Sequence, residues 1–476
     1  MKKINSKNEE FYEKELQYNI KRLIILDGIN KLDHSKIYIN EEGLYESELI
    51  KLKTTYDRLL SLIEIYIPKE NEIASVPSIF EQGMNIIRPS FKELFFAIRN
   101  QFLFSKYGLV NYLSTRIRHG IFENAIRPTF KKLNLVTDKN FSGKKYLPND
   151  YWLDQLEPNV SKEKLDRISE ELSIFSDKVD AFIAQVLAEK LQIKIETQNK
   201  DGLFDFIFHE SQIDFAKVFN NQRLDFKSFV YNVYKELWVR NESNLKAIRK
   251  FIRNEMRAEL NSYLDELEDS LQKLYRKDLT AELFVNIAVC RGNLHKELEN
   301  IADWFVRTDT QMPNSTLSNI LDVTSEHLNS VAIVQKLEIE NGLEDSTIIH
   351  GRYYVALSDL FRLFLSNILK HSRFEGDLIP VNILSAKVGD SLLCISIISP
   401  LGNSVDINEI KQNLKLFEEQ HNNVERLVGE RNSGLIKAIN ILKSDLHNEN
   451  NQLRCEVSEE RKFFAELTIN LKRIKA

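Results

Sequence analysis

VALSDLFRLFLSNILKHS, residues Val355–Ser372, carries Leu357, Leu360, Phe361, Phe364 and Ile368 at steps of three and four residues. That spacing gathers apolar side chains on one face of a helix. Asn367, Lys370 and His371 fall at i, i+3 and i+4 near the C-terminal end and share a second, polar edge. A carboxamide oxygen can serve a hydrated Mg²⁺, and an ammonium can meet a phosphate as a point charge. The same pattern also describes an ordinary amphipathic helix with a polar edge, so its meaning rests on what surrounds it.

Two apolar-rich runs follow, Pro380–Lys387 and Leu392–Ile398, separated by Val388-Gly389-Asp390-Ser391. This is a hairpin signal. Next come the turn cluster Ser399-Pro400-Leu401-Gly402-Asn403, a polar stretch from Ser404 to Glu430, and Arg431-Asn432-Ser433-Gly434-Leu435 opening a helical run, Ile436–Leu446. Two more strand-like runs, Gln452–Val457 and Phe463–Leu471, follow. Upstream, a helix over about Leu317–Val331 and a strand over Thr347–Tyr354 are expected as part of the same domain.

This order resembles the ATP-binding domain of histidine kinases and the wider GHKL ATPase family. Leu365-Ser366-Asn367-Ile368-Leu369-Lys370-His371-Ser372 is similar to the family's N box, and Gly429-Glu430-Arg431-Asn432-Ser433-Gly434-Leu435 to a reduced form of its second glycine box. The resemblance covers roughly the last third of the chain. It implies an α/β sandwich that takes ATP and Mg²⁺. Asn367 would ligate the metal, Lys370 would meet phosphate, Ser399 and Gly402 would lie near adenine, and Gly434 would start the phosphate-facing helix. Ser399 stands where the family has an Asp, so its bond to an exocyclic amine would lack charge assistance. The family's general base would fall at Leu363, which implies slow hydrolysis or none.

The chain has 476 residues, 43% of them hydrophobic and 28% charged, which places it among soluble globular proteins with room for two to four domains. No run reaches the roughly eighteen apolar residues of a membrane span, and the basic start Met1–Lys7 lacks the apolar core of a signal peptide. Cys290, Cys394 and Cys455 are far apart, without metal or disulfide spacing. They read as small core residues in a reducing cytoplasm. The net charge of −5 gives no global footprint for nucleic acid, so any such surface must be local.

Glu9–Leu26 and Leu44–Ile67 read as charged amphipathic helices, with a packing or assembly role. A helix with an aromatic face, Phe91, Phe95 and Phe102, is expected over Phe91–Lys106 after Pro89-Ser90. The following helix, Leu109–Phe122, holds Ser114-Thr115-Arg116-Ile117-Arg118-His119-Gly120, and Arg127-Pro128 and Lys131-Lys132 come next. Arg116, Arg118, His119 and Arg127 are candidates for a nucleic-acid or nuclease surface. The favoured reading is a structural basic cluster that caps helix ends or pairs with the chain's carboxylates. HEPN ribonucleases place Arg and His four to six residues apart, a spacing that Arg116 and Arg118 do not have with His119.

Val160–Leu279 is nearly continuous helix pattern. Leu245, Ile248, Ile252, Met256, Leu260, Leu264, Leu267, Leu271 and Leu274 repeat at steps of three and four. Such a stripe packs in a hairpin or on a second copy, so a homodimer or a partner protein held through these middle helices is expected. His295, followed by Lys296-Glu297-Leu298, reads as a surface or capping histidine. A phosphoacceptor role is disfavoured because too few residues separate it from Asn367.

The reading is therefore an α+β multidomain protein in four segments. These are an N-terminal helical segment (1–75), a helical domain with the basic cluster (76–158), a long helical middle domain (159–280), and a linker helix with a GHKL-like domain (281–476). The expected role is a cytoplasmic, ATP-driven conformational switch with no membrane association. The alternatives are a scaffold or sensor without nucleotide, and a nucleic-acid-binding component. Such architectures are similar to those of prokaryotic regulatory and phage-defence proteins.

Overall fold

The computed structural model describes residues 2–34, 37–66, 77–118, 121–140, 145–209, 213, 224–274, 281–307, 312–331, 335–344, 346–389, 391–420 and 433–476. The chain divides into two compact units. One joins Met1–Ser35 to Thr308–Ala476, and the other is Lys36–Arg307. The helical unit is thus inserted between the first helix and the rest of the sheet-containing unit. This grouping differs from the four sequence segments. The first helix goes with the C-terminal residues, and the expected linker helix is a core element of the inserted unit.

Helix α1 (Lys2–His34) opens the chain. Its Ile25, Ile29 and Leu32 join the core of the sheet-containing unit. The contact is close because residue 28 is glycine: a Cβ there would stand 2.8 Å from Val323 and 3.1 Å from the Tyr354 hydroxyl.

The inserted unit holds α2 (Glu41–Ser47), α3 (Lys53–Tyr66), α4 (Pro77–Phe104), α5 (Leu109–Leu113), α6 (Ile121–Lys131), α7 (Asp150–Leu156), α8 (Lys162–Gln185), α9 (Phe226–Phe251), α10 (Arg257–Leu274) and α11 (Ala281–Asp303). It also has a two-stranded parallel pair, β1 (Ile193–Lys194) and β2 (Phe204–Asp205). Helix α4 runs straight through Pro89, where the sequence pattern places a boundary. A helix-interior proline costs about 3 kcal/mol. Here Ile87, Phe91, Leu94, Phe95 and Phe102 are all buried on one continuous face, and burying each stabilises by about 1.5–3 kcal/mol, so packing outweighs the lost hydrogen bond.

Helices α9 and α10 are joined by a π-helical turn, Ile252–Met256, and the leucine stripe runs through both. Leu245, Ile248, Ile252, Met256, Leu260, Leu264, Leu267 and Leu271 are buried in the unit's own core, α10 against α8 and α11. The stripe's apolar face is spent within the chain. Ion pairs line the same seam: Arg291 with Asp265 at 2.6 Å and Glu268 at 2.9 Å, and Arg253 with Glu299 at 2.7 Å. His295, on α11, is exposed and meets the Arg257 guanidinium at 3.0 Å. Cys290 is buried, and burial pushes its thiol up to about 12. Cys394 and Cys455 are only half-buried, so the expectation of core burial holds for Cys290 alone.

The sheet-containing unit continues with β3 (Ser315–Thr316), α12 (Leu317–Val331), β4 (Lys336–Gly342), β5 (Ile348–Ile349), α13 (Tyr354–His371), β6 (Leu378–Val388), β7 (Leu392–Pro400), α14 (Ile407–Gln420), α15 (Ser433–Asn440), β8 (Gln452–Val457) and β9 (Lys462–Asn470). Its main sheet has the order β4-β6-β7-β9-β8. Strand β4 is parallel to β6 and every other pairing is antiparallel. Alternation sets one face: Ile379, Val381 and Ile383 of β6, Leu393, Ile395 and Ile397 of β7, and Ala465, Leu467 and Ile469 of β9 are buried. They share a core with Leu317, Ile320 and Leu321 of α12, Leu357, Leu360, Phe361 and Phe364 of α13, and Ala438 of α15. The expected hairpin forms with Val388 opposite Leu392, and Gly389 adopts the positive φ of +66° that the tight turn needs.

The architecture is therefore mostly helical, with a C-terminal mixed sheet covered by helices on one face. Among the described residues, no helix is long and apolar enough to cross a membrane.

Candidate functional site

Helix α13 fixes the polar edge that the sequence singled out. Its buried face anchors it, and buried polar side chains pair on that face: Ser358 meets Thr324 of α12 at 2.8 Å, and Arg362 meets Asp359 at 3.7 Å. Asn367 is half-buried, and Lys370 and His371 are exposed at the last turn. His371 lies below its ordinary value, through desolvation of the ring first and then through the positive charges of Lys370 and Arg373.

Gly434 sits directly on Asn367. A Cβ at Gly434 would stand 3.2 Å from Asn367 Nδ2 and 3.7 Å from Oδ1. Absence of a side chain therefore lets the start of α15 rest on the carboxamide. The rest of the reduced glycine box, Gly429–Asn432, lies outside the described residues.

Gly402 lies at the end of the same helix, three residues after Ser399. Gly402 N donates to Ser372 O at 2.7 Å, and a Cβ at Gly402 would fall 1.7 Å from Arg373 O, so only glycine fits. Ser372 and Asn367 are five residues apart, about 7 Å along a helix axis. Ser399 ends the buried face of β7. Its hydroxyl and that of Ser372 are both buried without a hydrogen-bond partner among the described residues. Buried hydroxyls left so cost about 1–3 kcal/mol each, a cost that a water or a bound polar group would relieve.

One residue that sequence reasoning passed over shapes this site. Arg461, in the turn between β8 and β9, donates from Nη2 to Gly402 O at 2.6 Å, Asn403 O at 3.0 Å and Val405 O at 2.6 Å. It ties the Gly402 loop to the β8–β9 turn. Nothing in Ser458-Glu459-Glu460-Arg461 signals this role, because the acceptors are backbone carbonyls some 56 to 59 positions upstream.

The basic cluster belongs to the inserted unit and is engaged there. Arg116 is buried and its guanidinium stacks over Tyr38 at 4.9 Å and Tyr112 at 4.8 Å. Arg118 donates to Gln192 Oε1 at 2.6 Å and Val110 O at 3.1 Å, and burial lowers its pKa. Arg127 holds Asp180 and Asp138, each at 3.0 Å, and the Thr137 carbonyl at 2.5 Å. His119 lies outside the described residues. The three arginines are thus distributed among separate partners. The structure does not bring them together as one outward face.

The geometry defines a chain of two units, a helical body and a mixed-sheet unit with a polar helix end. By comparison of families, the Y4jQ family model matches residues 29–305, more than half of the 476 residues, and the chain belongs to the Y4jQ family. The matched span nearly coincides with the inserted helical unit. A relative from Sinorhizobium fredii (strain NBRC 101917 / NGR234), named uncharacterized protein y4jQ, is 23% identical over 407 residues. The alignment covers 82% of this chain and 38% of that relative, so the chain spans under two fifths of the relative's length.

Proposed function

We propose that the sheet-containing unit is a GHKL-type module that binds ATP with Mg²⁺ at the end of α13 and acts as a conformational switch on the helical unit. The observation that carries this reading is the seating of Gly434 on Asn367. It joins a carboxamide suited to a hydrated Mg²⁺ to a helix N-terminus suited to phosphate. The element order supports the reading, and so do the two orphaned hydroxyls of Ser372 and Ser399, which fit a polar ligand beside the Gly402 loop. Lys370 would add a positive charge to the phosphate side. Mg²⁺ would neutralise phosphate charge. Leu363 packs against the core and offers no base, so hydrolysis is slow or absent and binding itself is the signal.

The connectivity gives the signal a route. Both ends of the helical unit, Lys36 and Arg307, are tied to the sheet-containing unit. A change there that moves α1 relative to α12 would move both tethers. The nucleic-acid reading has less support, because the arginines it needs are spent on tyrosine rings, carbonyls and carboxylates.

Calorimetric titration of ATP with and without Mg²⁺ tests the proposal. Wild type should bind with metal-dependent affinity, Asn367→Ala should lose the metal-dependent part, and Ser399→Asp should strengthen adenine recognition. Equal, weak, metal-independent heats in all three proteins would overturn it.

A further inference from the structure

We infer that the chain self-associates through α1, which pairs in parallel with α1 of a second copy. The helix has two apolar faces. Ile25, Gly28, Ile29 and Leu32 pack on the sheet-containing unit. At 100° per residue, Tyr12, Leu16, Asn19, Leu23 and Leu26 fall on the opposite side. Their steps are 4, 3, 4 and 3, the heptad repeat that lets knobs enter holes on a like helix. The stripe is open to solvent: Tyr12 is 66% exposed, Leu16 59%, Leu23 66% and Leu26 55%, with Ile20 beside it at 48%. Leucines exposed in a row are not the scattered apolar residues that any surface carries.

The pattern says what covers them. With Leu16 and Leu23 at a, and Asn19 and Leu26 at d, Arg22 falls at g and Asp27 at e of the following heptad. In a parallel pair, g of one helix faces that e of the other, so Arg22 meets Asp27 of the second copy twice, once on each side. Asp27 also holds Lys31 of its own helix at 2.6 Å. Within the chain, the other leucine stripe of matching period, Leu245–Leu271, is buried in its own unit and cannot serve as the partner. A second copy supplies both the repeat and the complementary charge. The inference does not depend on nucleotide binding.

Sedimentation equilibrium on the full chain tests it. Wild type should dimerise at micromolar concentration, and the double variant Leu16→Glu with Leu23→Glu should be monomeric with unchanged far-ultraviolet dichroism and melting temperature. In a Cys394→Ser, Cys455→Ser background, Asn19→Cys should form a disulfide-linked dimer on oxidation. Tyr18→Cys, exposed but off the stripe, should not. A wild type that stays monomeric at tens of micromolar would overturn the inference, as would a double variant that still dimerises. Equal cross-linking at 18 and 19 would likewise exclude the parallel pairing.

Discussion

Replacing Arg127 with Met separates a structural basic cluster from a nucleic-acid surface. The Arg127 side chain is 13% exposed and Asp180 is 17% exposed, whereas Asp138 is 55% exposed. Breaking a buried pair costs about 3–5 kcal/mol because a charge is left without compensation. A surface pair is worth about 0.2–1 kcal/mol. The Asp180 leg lies between these limits, at about 2 kcal/mol, because both side chains keep some exposure and the Tyr146 hydroxyl still donates to Asp180 at 2.8 Å after the change. The Asp138 leg counts at the surface value, since Lys131 still holds it at 2.6 Å. The sum is about 2–3 kcal/mol. For a unit of this size a loss of 1 kcal/mol lowers the melting temperature by about 2 °C, so Arg127→Met should melt about 5 °C lower. Asp180→Asn should cost a similar amount, and the double variant should cost less than the sum, because the two changes remove one interaction.

The same site has a pH signature. Burial alone would raise Asp138, but the hydrogen bonds and charges of Lys131 and Arg127 hold it below 3.8. A carboxylate depressed on folding contributes stability above its unfolded value, and that contribution is lost as pH falls through its folded value. Arg127→Met should therefore shrink the acid-side loss of stability. Scanning calorimetry checks the temperatures, and a gel-shift series with RNA and DNA at two salt concentrations checks binding. If Arg127→Met melts like wild type while a salt-dependent gel shift weakens, the structural reasoning is refuted and the phosphate-contacting reading gains.

Gly402→Ala should cost about 2–4 kcal/mol, from overpacking against Arg373 O and loss of the bond to Ser372; an unchanged melt would show that the loop is not seated there. Leu264→Ala should cost about 2–5 kcal/mol at every protein concentration, because the residue is buried in its own chain; a cost that vanished on dilution would place that face between copies. His371 lies below its ordinary 6.5, so the folded state binds fewer protons than the unfolded one. Its contribution is full above pH 6.5 and falls away as pH drops toward the folded value. His371→Gln should flatten the melting temperature between pH 7.5 and 5.5, and a slope equal to wild type would show that the ring is not desolvated on folding.

What the sequence determined by itself was local. The helices Leu317–Val331 and Tyr354–His371 and the hairpin of β6 and β7 follow from apolar period and a Gly turn, which act over a few residues. Asn367, Lys370 and Gly434 were legible as site candidates for the same reason, since each sits in a short motif. Tertiary structure decided the pairings. A leucine stripe states that a helix has an apolar face and says nothing of what covers it, so Leu245–Leu271 was readable as a helix but not as an in-chain core. Pro89 is a boundary by local propensity, and only the buried aromatic face of α4 overrides it. The grouping of α1 with the last 169 residues depends on Gly28 meeting Val323 and Tyr354 across some 300 positions. Arg461 acts on carbonyls brought near by the strand register. These are contacts between distant backbone and side-chain atoms, for which no periodicity or spacing in the sequence is a proxy.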